Sequence, residues 1–175
     1  APSEARTADP VTITWLASNQ GSGTTGDGTP GGTVANWTDR IFVSRNAIFG
    51  DADDRLVAEV PHTGALASGE SYEGTWTGEL PGSLSGDYQV FVQVDSASAV
   101  YEYDDAHTNA VLGGNPILVR QWIIEPGTLT EDTVWEGHIK VLGTVTVPAG
   151  KTLTIMPGTI VKFASGTLEI YGRLE

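Results

Sequence analysis

The stretch SGDYQVFVQVD, Ser85 to Asp95, sorts its side chains into two sets: Tyr88, Val90, Val92 and Val94 on one face, Gln89, Phe91 and Gln93 on the other. A period of two marks a half-buried β-strand, because successive Cβ atoms of an extended chain point to opposite faces. The pattern recurs upstream. VTITWLAS, Val11 to Ser18, sets Val11, Ile13, Trp15 and Ala17 against Thr12, Thr14, Leu16 and Ser18. SYEGTWTGELP alternates Tyr72, Gly74, Trp76 and Gly78 with polar positions, and TDRIFVS (Thr38 to Ser44) and RLVAEV (Arg55 to Val60) add two more short runs. NPILVRQWIIEPG reads as a further strand, with Ile117, Val119, Gln121 and Ile123 on one side and Leu118, Arg120, Trp122 and Ile124 on the other, ending at a Pro-Gly turn. Strands about ten residues apart with no helical periodicity predict an all-β fold built on an antiparallel β-sandwich.

Between the first two runs, NQGSGTTGDGTPGG has no apolar residue to bury and predicts a long exposed loop. The whole chain holds 22 Gly and 9 Pro in 175 residues, which suits short strands joined by turns. Its tail has a different rhythm. From Val134, VWEGHIKVLGTVTVPAGKTLTIMPGTIVKFASGTLEIYGRLE gives apolar runs of four or five residues punctuated by PAG, PG, SG and YG. Such closely spaced strands suit the coils of a parallel β-helix, each burying its inner residues against the next. The tail supplies one or two coils where about three are normally needed, so the natural protein is expected to continue past Glu175. The expected domains are a sandwich over 1–125 and an incomplete β-helix coil over 126–175.

Charge is lopsided. The net charge is −13; 17 acidic residues face 5 arginines through Glu125, and no lysine precedes Lys140. A surface this acidic repels phosphate backbones and anionic lipid, which argues against nucleic acid and membrane surfaces and for cations or neutral ligands. No cysteine is present, so disulfides, thiolate metal sites and cysteine nucleophiles are excluded. No apolar run reaches the roughly 18 residues of a membrane helix, and no basic segment followed by an apolar one opens the chain as a signal peptide would.

TWLASNQGSG, WTDRIFVSRNAIFGDADDRL and TGALASGESYEGTWTGELPGSLSGDYQVFVQVDSASAVYE, with ILV after Asn109, resemble the CARDB module, the cell-adhesion-related domain found in bacteria, over about residues 11 to 119. The resemblance implies an immunoglobulin-like sandwich, without catalytic activity, within a larger secreted or surface-attached prokaryotic protein. Such modules begin with a strand that APSEARTADP leaves little room for, so the first edge strand is expected to be missing, and the Gly21 to Asn36 loop is longer than the family pattern. The tail separately resembles the opening coil of right-handed parallel β-helix proteins through VPAGKTLTIMPGTIVKF and LEIYGRLE.

Candidate sites are few. FGDADDRLV, Phe49 to Val57, crowds Asp51, Asp53 and Asp54 between two strands. Clustered carboxylates offer the hard oxygens calcium takes, six to eight at a time. The spacing is not an EF-hand, which needs Gly and Glu where this loop has Leu56 and His62; the alternative is that the aspartates cap a polar turn. Glu102, Asp104, Asp105, His107 and Asn109 form a second acidic group, read as a hairpin tip. His62, His107 and His138 are scattered and lack zinc-site spacing. Trp15 and Trp76 fall on core-facing positions; Trp37, beside the long loop, is the candidate for stacking on a carbohydrate.

The function expected is that of a non-catalytic extracellular structural or adhesive module, stiffened by calcium. Its partners would be surface or matrix polysaccharide or protein and the neighbouring domains of its own chain. Two alternatives stand beside it: the N-terminal accessory part of a β-helix polysaccharide-processing enzyme, and a carbohydrate-binding module.

Overall fold

A computed structural model describes residues 1–6, 9–102 and 109–175, and every regular element among them is a β-strand. The chain divides into two compact units. The first comprises Ala1–Glu4, Pro10–Gly78 and Asp87–Leu118, and the second Ala5–Asp9, Glu79–Gly86 and Val119–Glu175, in their described residues.

Six strands belong wholly or mainly to the first unit, β2 (Pro10–Ser18), β3 (Asn36–Ser44), β4 (Arg55–Thr63), β5 (Ser71–Glu79), β6 (Gly86–Gln93) and β7 (Ala110–Leu112), and β1 (Glu4–Arg6) and β8 (Ile117–Arg120) have residues in both. They form a six-stranded sheet in the order β1-β8-β6-β3-β4, with β7 also on β6, and a separate pair β2-β5. Together these give the unit its sandwich-like character. The alternation read from the sequence is visible in the burial. Val11, Ile13 and Ala17 of β2, Ile41 and Val43 of β3 and Tyr88, Val90 and Val92 of β6 are all buried.

Two details depart from the expectations. β1 is present, three residues long, and the Leu118 N–H donates to the Ser3 carbonyl at 3.0 Å, so an edge strand does precede Val11. Phe91, expected on the polar face of β6, is buried. Its ring meets Phe49 at 5.4 Å, and Phe49 meets Phe42 at 5.3 Å, so a loop residue more than forty positions upstream covers that face.

The long loop is exposed along most of its length but is anchored at Thr25, which is buried. Its hydroxyl donates to the Val34 carbonyl and accepts the Leu66 N–H, and its own N–H donates to the Leu66 carbonyl. One side chain thus ties both ends of the loop to the β4–β5 connection.

The second unit holds β9 (Trp122–Ile124), β10 (Gly127–Thr128), β11 (Thr133–Trp135), β12 (His138–Val141), β13 (Val145–Val147), β14 (Thr152–Ile155), β15 (Ile160–Phe163), β16 (Leu168–Ile170) and β17 (Arg173–Leu174). They pair in parallel as three sheets, β9-β12-β15, β10-β13-β16 and β11-β14-β17. The chain visits the three sheets in the same order three times, which is a solenoidal winding of three rungs. The first rung starts at Trp122, upstream of the expected boundary, because the single strand read over 117–124 is two. Ile117 and Val119 are buried on β8; past Gln121, whose amide donates to the Gly82 carbonyl at 3.1 Å, the chain enters β9.

Stacking explains the burial. In the middle rung Val141, Val145, Val147 and Leu153 are at most 1% exposed, with Trp135 of the first rung and Ile139 in the same cluster. Of their register partners in the third rung, Leu168 still packs on the cluster, whereas Phe163, Ile170 and Leu174, with no rung over them, are 41 to 46% exposed. Each fully buried aliphatic side chain contributes about 1.5 to 3 kcal/mol, so the middle rung carries this unit's core. The turns follow their sequence. At Met156-Pro157-Gly158-Thr159 the Thr159 N–H donates to the Met156 carbonyl at 3.1 Å with Gly158 at φ +86°, a backbone that β-carbon-bearing residues resist.

Candidate functional site

The most fully built cluster of polar side chains lies in the first unit, around Asp39. On β3 the inward positions are Trp37, Asp39, Ile41 and Val43, so a carboxylate occupies a core-facing site and is 1% exposed. Burying such a charge is costly unless its oxygens are filled. Trp15 Nε1 donates to Asp39 Oδ2 at 2.8 Å, the Tyr72 hydroxyl donates to the same oxygen, and the Asp95 N–H donates to Oδ1 at 3.1 Å. All three donors are neutral. Trp37 Nε1 donates in turn to the Tyr72 hydroxyl at 3.2 Å. Burial of Tyr72 in the first place, and its hydrogen bond to Asp39 in the second, push the phenol pKa far above the ordinary tyrosine value.

The strands dictate this meeting. Trp37 lies opposite His62 in the β3–β4 register, and the two rings stack with centroids 4.0 Å apart. His62 also meets Tyr72 at 3.9 Å. Gly74 is buried under the Trp15 indole, and a β-carbon there would fall 2.0 Å from Trp15 Cε2, so the missing side chain lets the indole lie against β5. Asp95, itself buried and at φ +47°, accepts the N–H groups of Ala99 and Val100 at 2.9 and 2.8 Å, so Asp39 also fixes the start of the loop that follows β6. Over Asp39 opens a cleft of about 270 Å³ walled by Trp15, His62 and Tyr72, with Glu73, Thr63 and Thr75 around it. Trp15 and Tyr72 are half-buried, and Glu73 is exposed.

The expected carbohydrate residue, Trp37, is 7% exposed and belongs to this cluster as a packing member, with His62 across its ring. Its partly exposed neighbours Trp15 and Tyr72 line the cleft instead.

The aspartate loop is closed by its own bonds. Asp53 Oδ2 accepts the Arg45 N–H at 2.6 Å and the Ser44 hydroxyl at 3.0 Å. The Asn46 amide donates to Asp51 Oδ2 at 2.8 Å and to Asp53 Oδ1 at 2.9 Å, bridging two carboxylates. Asp51 Oδ1 accepts the Asp53 N–H, and Asp54 Oδ2 accepts the Gly50 N–H. Five of the six carboxylate oxygens therefore have a protein donor, and Asp54 Oδ1 is buried without one. The side chain of Asp51, then the Arg45 N–H, hold the Asp53 carboxyl below the usual carboxylate range. These bonds cap the turn, with the Asn46 amide lying between the Asp51 and Asp53 carboxylates.

Asp104, Asp105 and His107 of the second acidic group lie outside the described residues. Glu102 is exposed, and the Asn109 carbonyl accepts the Val94 N–H at 2.9 Å. His138 borders a second cavity of about 290 Å³ in the second unit, beside Lys140 and Lys162, which are register partners on β12 and β15.

Comparison with protein families, with curated proteins and with solved structures finds nothing that matches this chain.

Proposed function

We propose that this chain is a non-catalytic, extracellular contact module of a larger prokaryotic surface or secreted protein, with an immunoglobulin-like first unit and a β-helical second unit as spacer. The observation that carries this reading is the closure of the Asp39 cluster. Its carboxylate, indoles and phenol hold each other, which stiffens β3, β5 and the post-β6 loop without a group poised to pass a proton to a substrate. The CARDB resemblance of residues 11 to 119 points the same way, as does the acidic composition. Calcium, where it binds, would stiffen the aspartate loop through Asp51, Asp53 and Asp54, beside the bonds Asn46 makes to the first two.

A carbohydrate-binding role is the second reading, favoured by half-buried Trp15 and Tyr72 beside carboxylates in one cleft. Both readings are tested by passing the purified chain over immobilised cell-envelope polysaccharides while assaying the same samples for released sugar. Retention without product supports a contact module; product formation sinks it.

A further inference from the structure

We propose that the Asp39 cleft is a binding site for a protonated amino sugar, a pyranose ring carrying a primary ammonium. The inference deepens the contact-module reading and rests on it. Asp39 is a buried carboxylate held by three neutral donors, so its negative charge reaches the cleft without a bonded cation to cancel it. Glu73 adds a second carboxylate at the cleft wall. An ammonium placed there gains from both, in surroundings where partial burial weakens solvent screening. Trp15, Tyr72 and His62 border the cleft and add aromatic surface beside the carboxylates, where a sugar ring and a cation can both make contact.

Size and polarity select the sugar. The cavity of about 270 Å³ corresponds to about nine water molecules, enough for one monosaccharide. The exposed Thr63 and Thr75 at the cleft offer hydroxyls that sugar hydroxyls can pair with, which a lysine side chain cannot match. The chain's net charge of −13 steers such cationic ligands inward.

The test is a proton–nitrogen NMR titration of the full chain, following the Trp15 indole N–H and the amides of Gly74 and Thr75. The ligands are glucosamine, N-acetylglucosamine, glucose and a capped lysine. Glucosamine should shift these signals and bind about tenfold tighter than its uncharged N-acetyl form, an advantage that shrinks in high salt. Glu73→Gln, on the surface, should cut that advantage while leaving the remaining spectrum intact; Asp39→Asn should remove it if the chain folds. Equal binding of glucosamine and N-acetylglucosamine would overturn the cationic class and leave a neutral-sugar site. Binding by lysine alone would overturn the sugar, and unmoved cleft signals with all four would overturn the site. None of these results touches the envelope-retention assay, so the inference and the contact-module reading can fail separately.

Discussion

Replacing Asp39 with alanine removes the acceptor for three donors at once: Trp15 Nε1, the Tyr72 hydroxyl and the Asp95 N–H. Leaving a buried donor unmade costs about 1 to 3 kcal/mol. Water can enter from the cleft and recover part of this, so the net loss should be about 3 to 5 kcal/mol, a large share of the roughly 5 to 15 kcal/mol that a domain possesses. Urea unfolding followed by tryptophan fluorescence measures it, with the transition of the first unit analysed separately if the two units unfold apart. Tyr72→Phe supplies the second leg of a double-mutant cycle. Alone it removes one donor to Asp39 and the acceptor of Trp37 Nε1, costing about 1 to 2 kcal/mol. In the Asp39→Ala background it should cost less, because the phenol no longer has its carboxylate, giving a coupling of about 1 to 2 kcal/mol. A loss below about 1 kcal/mol for Asp39→Ala, or strict additivity in the cycle, would refute the view that Asp39 organises this unit.

The other predictions concern pH, the solenoid and calcium. Because the native fold raises the Tyr72 pKa, the native state keeps a proton that the unfolded chain loses near pH 10; stability should be intact below that value and fall as pH rises above it. Melts across the alkaline range should show this fall in the wild type and less of it in Tyr72→Phe. Leu153→Ala, in the middle rung, should cost about 2 to 4 kcal/mol, while Leu174→Ala in the open third rung should cost less than about 1 kcal/mol. Equal losses would contradict the stacking argument. Calcium at millimolar excess is expected to leave the melting temperature where chelator leaves it if the loop is held by its own donors, which reach five of its six carboxylate oxygens. A rise of several degrees that Asp53→Ala abolishes would make the aspartate loop a calcium site.

Much of the architecture could be read from the residues. The alternation in Val11 to Ala17 and in Tyr88 to Val92 places side chains as they are found, since a strand with one covered face writes its burial into a period of two. The tail's Pro-Gly and Ala-Gly turns are equally local, with Gly150 and Gly158 at positive φ where the sequence puts them. What escaped depends on distant partners. Phe91 looked like a polar-face residue because its cover, Phe49, arrives from another loop, and the break at Gln121 is invisible in a run that is apolar on both faces. Asp39 does carry a local signal: it shares a face with Trp37, Ile41 and Val43, and an acid on the apolar face of a strand demands buried donors. Which donors those would be, Trp15 and Tyr72, is a matter of how β2, β3 and β5 assemble, and no spacing in the sequence records it.

The most direct measurement is the retention of the purified chain on immobilised prokaryotic envelope polysaccharides, run alongside the Trp15→Ala and Glu73→Gln variants with sugar release assayed in every fraction. The account predicts that the wild type is retained and that no sugar is released; earlier elution of both variants would assign the contact to the Asp39 cleft. Release of sugar above the buffer control, or elution of the wild type with the variants at the void, would contradict it.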